Sequence, residues 1–593
     1  MSPTLSKLIS MLHRRALPEL RLAALKSRLA ERDKESLCQA IVDFAQSSLN
    51  QKDVAEAIQS LDIASEVLPD TGSIWALKGK AWHLMGETSG EPVDLKQALA
   101  CFQKALDLRA LSAPGWRDYG ETLGALGRFT ASRSLLRQSL AACRKAVQLS
   151  KEHLDKGELY LSLARAANAL CKLEYDEGLL EESIEAFEQA AKRDPLNSRL
   201  HIAWSRCYWL LAKHGKKYAA PEALKLARTA LELEPDSSWA QFHLVNMLLT
   251  DLHPETKKLQ SIREAEQIIK QALKNTQEDA FTLAAQGLVL FHRAAYFSDT
   301  DTLQQAVHLF SRAAELQPNR PMCWRLLGRS LFQLSLQTVS ASVAEKCVQA
   351  FQQATQLRPW SSSDAGEWAT ALIQLAHIRE SHEDLERSLV ILDHWQQLCV
   401  GKKAETASCL YHKGYVHDLL GDVYGDVTHI EKAIQLLGES LQMTPERPTT
   451  RQALAEAFVH LGEVVSDVDA LATAIKLFES CRPDLDEDAD LYQEWGFALL
   501  QLARIIHTSG DPKIDFLLHE AEEKLKNAAL LGSSHAYYLL GCCYAMAQQP
   551  QMALQSLRLA KKHEALPDAE TILDTSELQV LHDLPEFRKI LEE

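Results

Sequence analysis

Six basic side chains stand at matched distances from small residues along the chain. Lys80, Arg165, Arg206 and Arg329 each follow a small residue (Gly79, Ala164, Ser205, Gly328) by one position, and Arg117 and Arg325 precede Gly120 and Gly328 by three. Cations returning at one register can accept an anionic partner, and the guanidinium fork holds a carboxylate through two parallel hydrogen bonds. Amides at Asn168 and Asn246 and rings at Trp209, Trp239, Phe242, Phe291, Tyr411 and Tyr415 fall in the same kind of segment. Tryptophan and arginine together make binding anchors. The chemistry on offer is recognition of an acidic group.

Bond-making chemistry finds no comparable pattern. There is no glycine-rich phosphate loop ending in lysine and a hydroxyl residue, and no HExxH pair: "HRRAL" and "YHKGYVH" lack the spacing. His83, His201, His243, His292, His417 and His460 are isolated from one another in sequence. The carboxylate-rich run from Asp484 to Gly496 lacks the ligand series and central glycine of a calcium loop, and acidic residues opening a helix account for it. Cys542 and Cys543 are adjacent, without the spacing of a metal knuckle, and the other cysteines are scattered through apolar segments. Neither catalytic nor metal-binding residues are assigned, and no cofactor is expected.

The elements that would position the cations repeat. A small residue recurs at Ala45, Gly79, Gly120, Ala164, Ser205, Val245, Gly287, Gly328, Ala369, Gly414, Ala455, Gly496 and Gly541, at intervals of about 41 residues. Downstream comes a small residue, a bulky apolar residue four later and an alanine three after that: Ala98/Phe102/Ala105, Ser183/Phe187/Ala190, Ala306/Phe310/Ala313, Cys347/Phe351/Ala354, Ala553/Leu557/Ala560. Spacings of four and three put each triplet on one face of a helix. Pro69, Pro195, Pro235, Pro318, Pro359 and Pro445 follow, where they stop one helix and start the next unit. Each unit is a helical hairpin that needs neighbours on both sides to bury its apolar faces.

"YLLGCCYAMAQQPQMALQSLRLAKKHEALP", with Tyr538, Leu540, Gly541, Tyr544, Ala553, Leu557 and Ala560, closely resembles the unit of the tetratricopeptide repeat family. Internal units are longer, with 19 rather than 12 positions between the two small residues, as from Gly287 to Ala306. Seven extra residues are about two helical turns. Added segments such as "AYFSDTDTLQQA" and "VYGDVTHIEKA" supply Asp or Thr as helix N-caps. The resemblance implies an all-α superhelix of about 13 hairpins over residues 36–567, a helical lead-in at 1–35 and a capping helix at 568–593. Neither terminal segment has room for an enzymatic domain.

In that family first helices line the concave surface, which implies that Lys80, Arg117, Arg165, Asn168, Arg206, Trp209, Trp239, Phe242, Asn246, Phe291, Arg325, Arg329, Tyr411 and Tyr415 face a groove. The implied function is a non-enzymatic scaffold or adaptor that binds a peptide or protein segment, with an acidic one among the candidates; a chaperone or secretion-assisting role is the alternative. Any single ring among them serves packing more readily than contact. Trp75, Trp116 and Trp324 fall where the family packs a large side chain.

Composition sets the outer limits. The chain of 593 residues is too long for one ordinary core, and 46% hydrophobic residues suffice to fold it throughout. Its formal charge of -16 argues against a nucleic-acid partner, although a local basic groove is compatible with it. Twelve cysteines suit a reducing, cytoplasmic setting. No membrane partner is expected, because no 18-residue apolar run occurs and Glu19, Glu31 and Asp33 interrupt the basic face of the first segment. Oligomeric state is left open.

Overall fold

The computed structural model describes residues 2–27, 29–150, 156–216, 218–250, 255–275, 278–357, 362–399, 403–485, 487–507 and 513–592. Among these residues there are helices and turns and no strand. Two short helices, α1 (Pro3–His13) and α2 (Leu17–Lys26), precede thirteen hairpins. The hairpins are α3 (Glu31–Asn50) with α4 (Val54–Val67), α5 (Gly72–Ser89) with α6 (Pro92–Asp107), α7 (Ala113–Phe129) with α8 (Arg133–Leu149), α9 (Gly157–Cys171) with α10 (Glu177–Ala191), α11 (Ser198–Lys213) with α12 (Ala219–Leu233), α13 (Ser238–Leu248) with α14 (Glu255–Asn275), and α15 (Ala280–Phe297) with α16 (Thr300–Leu316). They continue with α17 (Pro321–Thr338) and α18 (Ala341–Leu357), α19 (Ser362–Arg379) and α20 (His382–Leu398), α21 (Lys403–Tyr424) and α22 (Val427–Met443), α23 (Pro448–Val465) and α24 (Val468–Leu485), α25 (Ala489–His507) and α26 (Ile514–Leu530), and α27 (Ala536–Met546) and α28 (Pro550–Lys562). The short α29 (Ala569–Asp574), a 3-10 turn (Ser576–Leu581) and α30 (Pro585–Glu592) follow.

The chain forms two compact units, one of Met1–Thr338 with Gln349–Trp360 and the other of Val339–Val348 with Ser361–Glu593. Within each unit every first helix lies against the first helix of the next hairpin, from α5 to α17 and from α19 to α27. First-helix side chains thereby share one face of each unit.

The small anchor residues are small because a helix crosses over them. A Cβ added to Gly287 would lie 2.7 Å from the Phe310 ring, and one added to Gly328 would lie 2.9 Å from Phe351. Gly414 and Leu437, Gly496 and Leu525, and Gly541 and Leu557 repeat the arrangement. The bulky residue of each second helix therefore fills the notch made by the anchor of its own hairpin, and both are fully buried. Where a serine replaces the small alanine of the second helix it also ties the pair together: Ser183 Oγ donates to the Ala164 carbonyl at 2.8 Å, and Ser139 Oγ to the Gly120 carbonyl at 2.6 Å.

Long internal hairpins close with a residue in the left-handed region followed by a capping side chain. Ser298, Gly425 and Ser466 have φ of 53°, 61° and 56°. Asp299 then accepts from the amides of Asp301 and Thr302, Asp426 from Thr428, and Asp467 from Asp469 and Ala470.

The prolines between hairpins do more than stop a helix. Each carbonyl of Pro69, Pro195, Pro235, Pro318 and Pro445 receives a hydrogen bond from the side chain six residues on: Trp75 Nε1 (2.7 Å), His201 Nε2 (2.9 Å), Gln241 Nε2 (2.8 Å), Trp324 Nε1 (2.8 Å) and an Arg451 guanidinium nitrogen (2.8 Å). The large residue expected from the family resemblance is, at these turns, a long donor. Pro359 lies outside the described residues.

At the chain ends, Leu5, Leu8, Leu12, Leu17 and Leu20 are buried in one cluster with Leu37 and Ile41. The apolar stripe of the lead-in is thus packed rather than solvated. Leu578, Leu581, Phe587 and Ile590 join Leu554 and Leu557 in the core of the other unit.

Candidate functional site

Three first helices of the first unit carry polar and aromatic stripes at i, i+3 and i+7. These are Arg165, Asn168 and Lys172 on α9 and its C-cap, Arg206, Trp209 and Lys213 on α11, and Trp239, Phe242 and Asn246 on α13. Such spacing keeps the three residues of each stripe on one side of a helix. Capping fixes where two of these helices begin: the Asn197 side chain accepts from the Leu200 amide at 3.1 Å, and Ser237 Oγ from the Ala240 amide at 3.4 Å.

Lys172 and the stripes of α11 and α13 converge on a cavity of about 600 Å3. Its wall combines the cations Lys172, Arg206, Lys213, Arg320, Arg325 and Arg329 with Trp209, Trp239, Phe242, His243 and Asn246. Among the described residues that line it there is no aspartate or glutamate. A second cavity of about 410 Å3 shares Arg206, Trp239 and Arg320 with the first and adds Arg165, Arg199, Ile202, Phe281 and one carboxylate, Glu234.

Rings form the floor between the charges. Trp239 stacks on Phe242 with centroids 6.1 Å apart and meets Phe281 edge-on at 5.0 Å, while the Arg320 guanidinium lies 4.4 Å over the Phe281 ring. His243, buried beneath them, has its pKa pushed down to about 3, first by burial and then by the charges of Arg206 and Lys172. A neutral imidazole at this position is what a positive field in a low-dielectric wall produces.

Seven of the sequence-selected residues, Arg206, Trp209, Trp239, Phe242, Asn246, Arg325 and Arg329, meet in the larger cavity, and Arg165 lines the smaller. The others are elsewhere. Lys80 is half-buried on α5. Arg117 is held by Asp118 at 2.8 Å and by Glu158. Asn168 is buried with no partner for its Oδ1.

Phe291 lines a separate cavity of about 600 Å3 with Leu248, Lys258, His292 and Gln337. That space opens because α13, at 11 residues, ends about 10 Å of helix short of the 18-residue α15 beside it. Tyr411 and Tyr415 stack at 6.3 Å in the other unit, and the Tyr415 hydroxyl lies 3.0 Å from His377 Nε2.

Lys172, Lys213 and Arg320 were not selected from the sequence. The first two continue the stripes begun by Arg165 and Arg206 one turn further, so the i+7 spacing could have found them. Arg320 sits in the turn before α17, where no helical register applies.

The first-helix face of the second unit has the opposite character. His460 Nδ1 is 3.0 Å from Asp418 Oδ1, and its Nε2 is 3.9 Å from Asp422. Burial opposes the charge on His460, but the hydrogen bond and charge of Asp418 together with Asp422 raise its pKa to about 9. Glu456 is pushed up to about 7 by burial and by Glu494. No group of three or more His, Cys, Asp or Glu among the described residues could hold a metal ion. No helix there is long and apolar enough to cross a membrane.

No protein-family model and no curated protein matches the sequence. Solved structures do. The human IFIT1 dimer with PPP-AAAA is 16% identical, with 78% of this chain and 91% of that chain covered and a TM-score of 0.38. The APC/C hetero-tetramer Cut9-Hcn1 is 12% identical, covering 90% and 96%, with a TM-score of 0.41. YrrB, a TPR protein with an unusual peptide-binding site, is 18% identical, covering 34% and 88%, with a TM-score of 0.25.

One expectation is corrected here. The sequence argued against a nucleic-acid partner from total charge, yet IFIT1 is seen with PPP-AAAA and with m7Gppp-AAAA. The physical reason the charge argument fails lies in the cavity above: six cations gather at one place in a chain whose sum is -16. The chain is an all-α solenoid of repeated helical hairpins resembling the tetratricopeptide-repeat folds.

Proposed function

We propose that the chain is a non-enzymatic scaffold that holds a segment of a partner protein on the first-helix face of its first unit. The observation carrying this reading is the pair of cavities that share Arg206, Trp239 and Arg320, in which cations and rings from α11, α13 and the start of α17 surround a space that a few residues of an extended chain would fill. Guanidinium groups supply charge-assisted bonds to acidic side chains, Asn246 offers an amide for main-chain groups, and Trp239 and Phe242 give apolar contact. A cytoplasmic setting goes with it: all twelve cysteines are buried, and burial raises thiols such as Cys38 and Cys101 to about 11, which suits a reducing compartment.

A second reading, a single nucleic-acid strand, is favoured by the interleaving of the same cations with Trp239, Phe242 and Phe281, since stacked rings and basic groups are how such strands are held. The IFIT1 structures with PPP-AAAA give it a parallel.

A photo-crosslinking amino acid at the exposed Asn246 separates the two. Crosslinks to one identified protein, lost when Arg206 and Arg329 are both changed to Glu, support the scaffold. Crosslinks to RNA with the same dependence support the second reading, and crosslinks indifferent to the two charge reversals overturn both.

A further inference from the structure

We propose that the edge of the second unit formed by the tips of α21/α22 and α23/α24 is a docking surface for an amphipathic helix of a partner protein, one whose apolar stripe is flanked by lysine or arginine. This surface is separate from the cavities of the first unit and does not depend on how those are read. The two tips are the same structure repeated at an interval of 41. Gly421 and Gly462 lie against Ile430 and Leu471, Gly425 and Ser466 take the left-handed conformation, and Asp426 and Asp467 cap the second helices. Equivalent side chains therefore stand on neighbouring hairpins in the same order.

These positions carry apolar residues. Val423 and Tyr424 end α21, Val464 and Val465 end α23, and Val468 opens α24; all five are exposed, Val423 by 67% and Tyr424 by 58%. The tip itself does not need them. In α5, where Gly86 lies against Leu95 and Gly90 is left-handed, the same two positions are Thr88 and Ser89. Two adjacent rows of such residues reach the few hundred Å2 at which an exposed apolar patch marks a binding surface. The spacing suits a helix. Packed helices stand about 8–10 Å apart, and residues i and i+7 of a helix lie about 10.5 Å apart along its axis. A helix laid across both tips sets one apolar residue on Val423 and Tyr424 and another, two turns on, on Val464 and Val465.

Charge specifies the flanks. Residues 421–430 and 462–471 contain five carboxylates, Asp422, Asp426, Glu463, Asp467 and Asp469, and no lysine or arginine. Asp426 is bonded by the Thr428 amide and hydroxyl, Asp467 by the amides of Asp469 and Ala470, and Glu463 by the Gln501 side chain, all of them neutral donors. Asp422 is 3.9 Å from His460, whose charge is shared with Asp418. At the equivalent place on α25, Arg504 is held by Glu577 at 3.0 Å. A second copy of this edge would bring carboxylate to carboxylate, whereas lysine or arginine beside an apolar stripe complements both features.

The test uses the full-length protein and three labelled 18-residue peptides in fluorescence anisotropy at 150 mM salt. They are a leucine/lysine amphipathic helix, a scramble of the same composition with no apolar face, and the amphipathic helix with glutamate in place of lysine. The expected result is at least tenfold tighter binding of the first than of either control. Val423→Ser/Val464→Ser/Val465→Ser, three exposed positions whose change leaves the helical spectrum intact, should weaken that binding at least tenfold, and Glu463→Gln/Asp469→Asn should weaken it several-fold. Equal binding of the amphipathic peptide and its scramble, or binding indifferent to the valine changes, overturns the docking surface. Sedimentation equilibrium showing a dimer that the same valine changes dissociate overturns the partner helix in favour of self-association.

Discussion

Gly287 and Phe310 show how one residue pair sets the geometry of a hairpin. The ring occupies the notch where a Cβ would stand, so enlarging either side has nowhere to go. Gly287→Ala is expected to destabilise by about 1–3 kcal/mol through overpacking, and Phe310→Ala by about 3–5 kcal/mol through the cavity it leaves. Gly438, half-buried on α22 with nothing within 4 Å of an added Cβ, is the control. There Gly438→Ala gains up to about 1 kcal/mol of helix propensity. Urea denaturation of the three variants measures all of these.

The anchors were legible because a notch repeated along the chain, as at Gly287, Gly328, Gly414, Gly496 and Gly541, favours small residues at intervals of about 41. The cations were legible only in part. Arg206 and Arg329 follow the anchors, but Lys172 and Lys213 lie beyond the registers counted, and Arg320 reaches the cavity from a turn.

Among the elements, α21, α23 and α25 carry a pH-sensitive cluster. The folded pKa of His460, about 9, lies above the unfolded value near 6.5, so its contribution is complete below that value and is lost as pH rises through 9. Glu456 acts in the same sense. Its folded pKa of about 7 exceeds the unfolded value, so the folded state keeps a proton that the unfolded state releases, and stability declines as pH rises from about 4.5 through 7.

Unfolding free energy measured in urea should therefore fall between pH 7 and 9, above the range in which the depressed His243, His412 and His417 act in the opposite sense, and His460→Gln should flatten that fall. Glu456→Gln should stabilise the protein at pH 8. A steeper decline in either variant would contradict the assignment. None of this was visible in the sequence, where His460 and Glu456 are ordinary first-helix residues; the His460 shift comes from Asp418, 42 positions away, and the Glu456 shift from burial and then from Glu494.

At the scale of the whole molecule, a solenoid is stable only if its outer faces are closed. Leu578, Leu581, Phe587 and Ile590 are all buried against the last hairpin, Tyr538 bonds Thr575 at 2.9 Å, and Arg504 pairs with Glu577 at 3.0 Å. A chain ending at Leu566 exposes Leu554 and Tyr538, and is expected to melt several degrees lower and to aggregate on heating, as a thermal scan with light scattering would show. Net charge is the whole-molecule quantity that misleads most, because a sum over 593 residues averages a basic cavity in one unit with an acidic face in the other.

The proline carbonyls that each receive a side-chain donor from six residues downstream have a consequence for how such chains diverge. Indole, imidazole, carboxamide and guanidinium all satisfy the same oxygen, so the joint requires reach and an N–H donor rather than one amino acid. Trp324→Phe, which keeps the bulk and removes the donor, should cost about 1 kcal/mol, while Trp324→Gln should retain the bond and lose only the packing. Two solenoids could thus share every inter-repeat joint while agreeing at few letters, which makes ancestry in this architecture easier to trace through hydrogen-bond topology than through sequence.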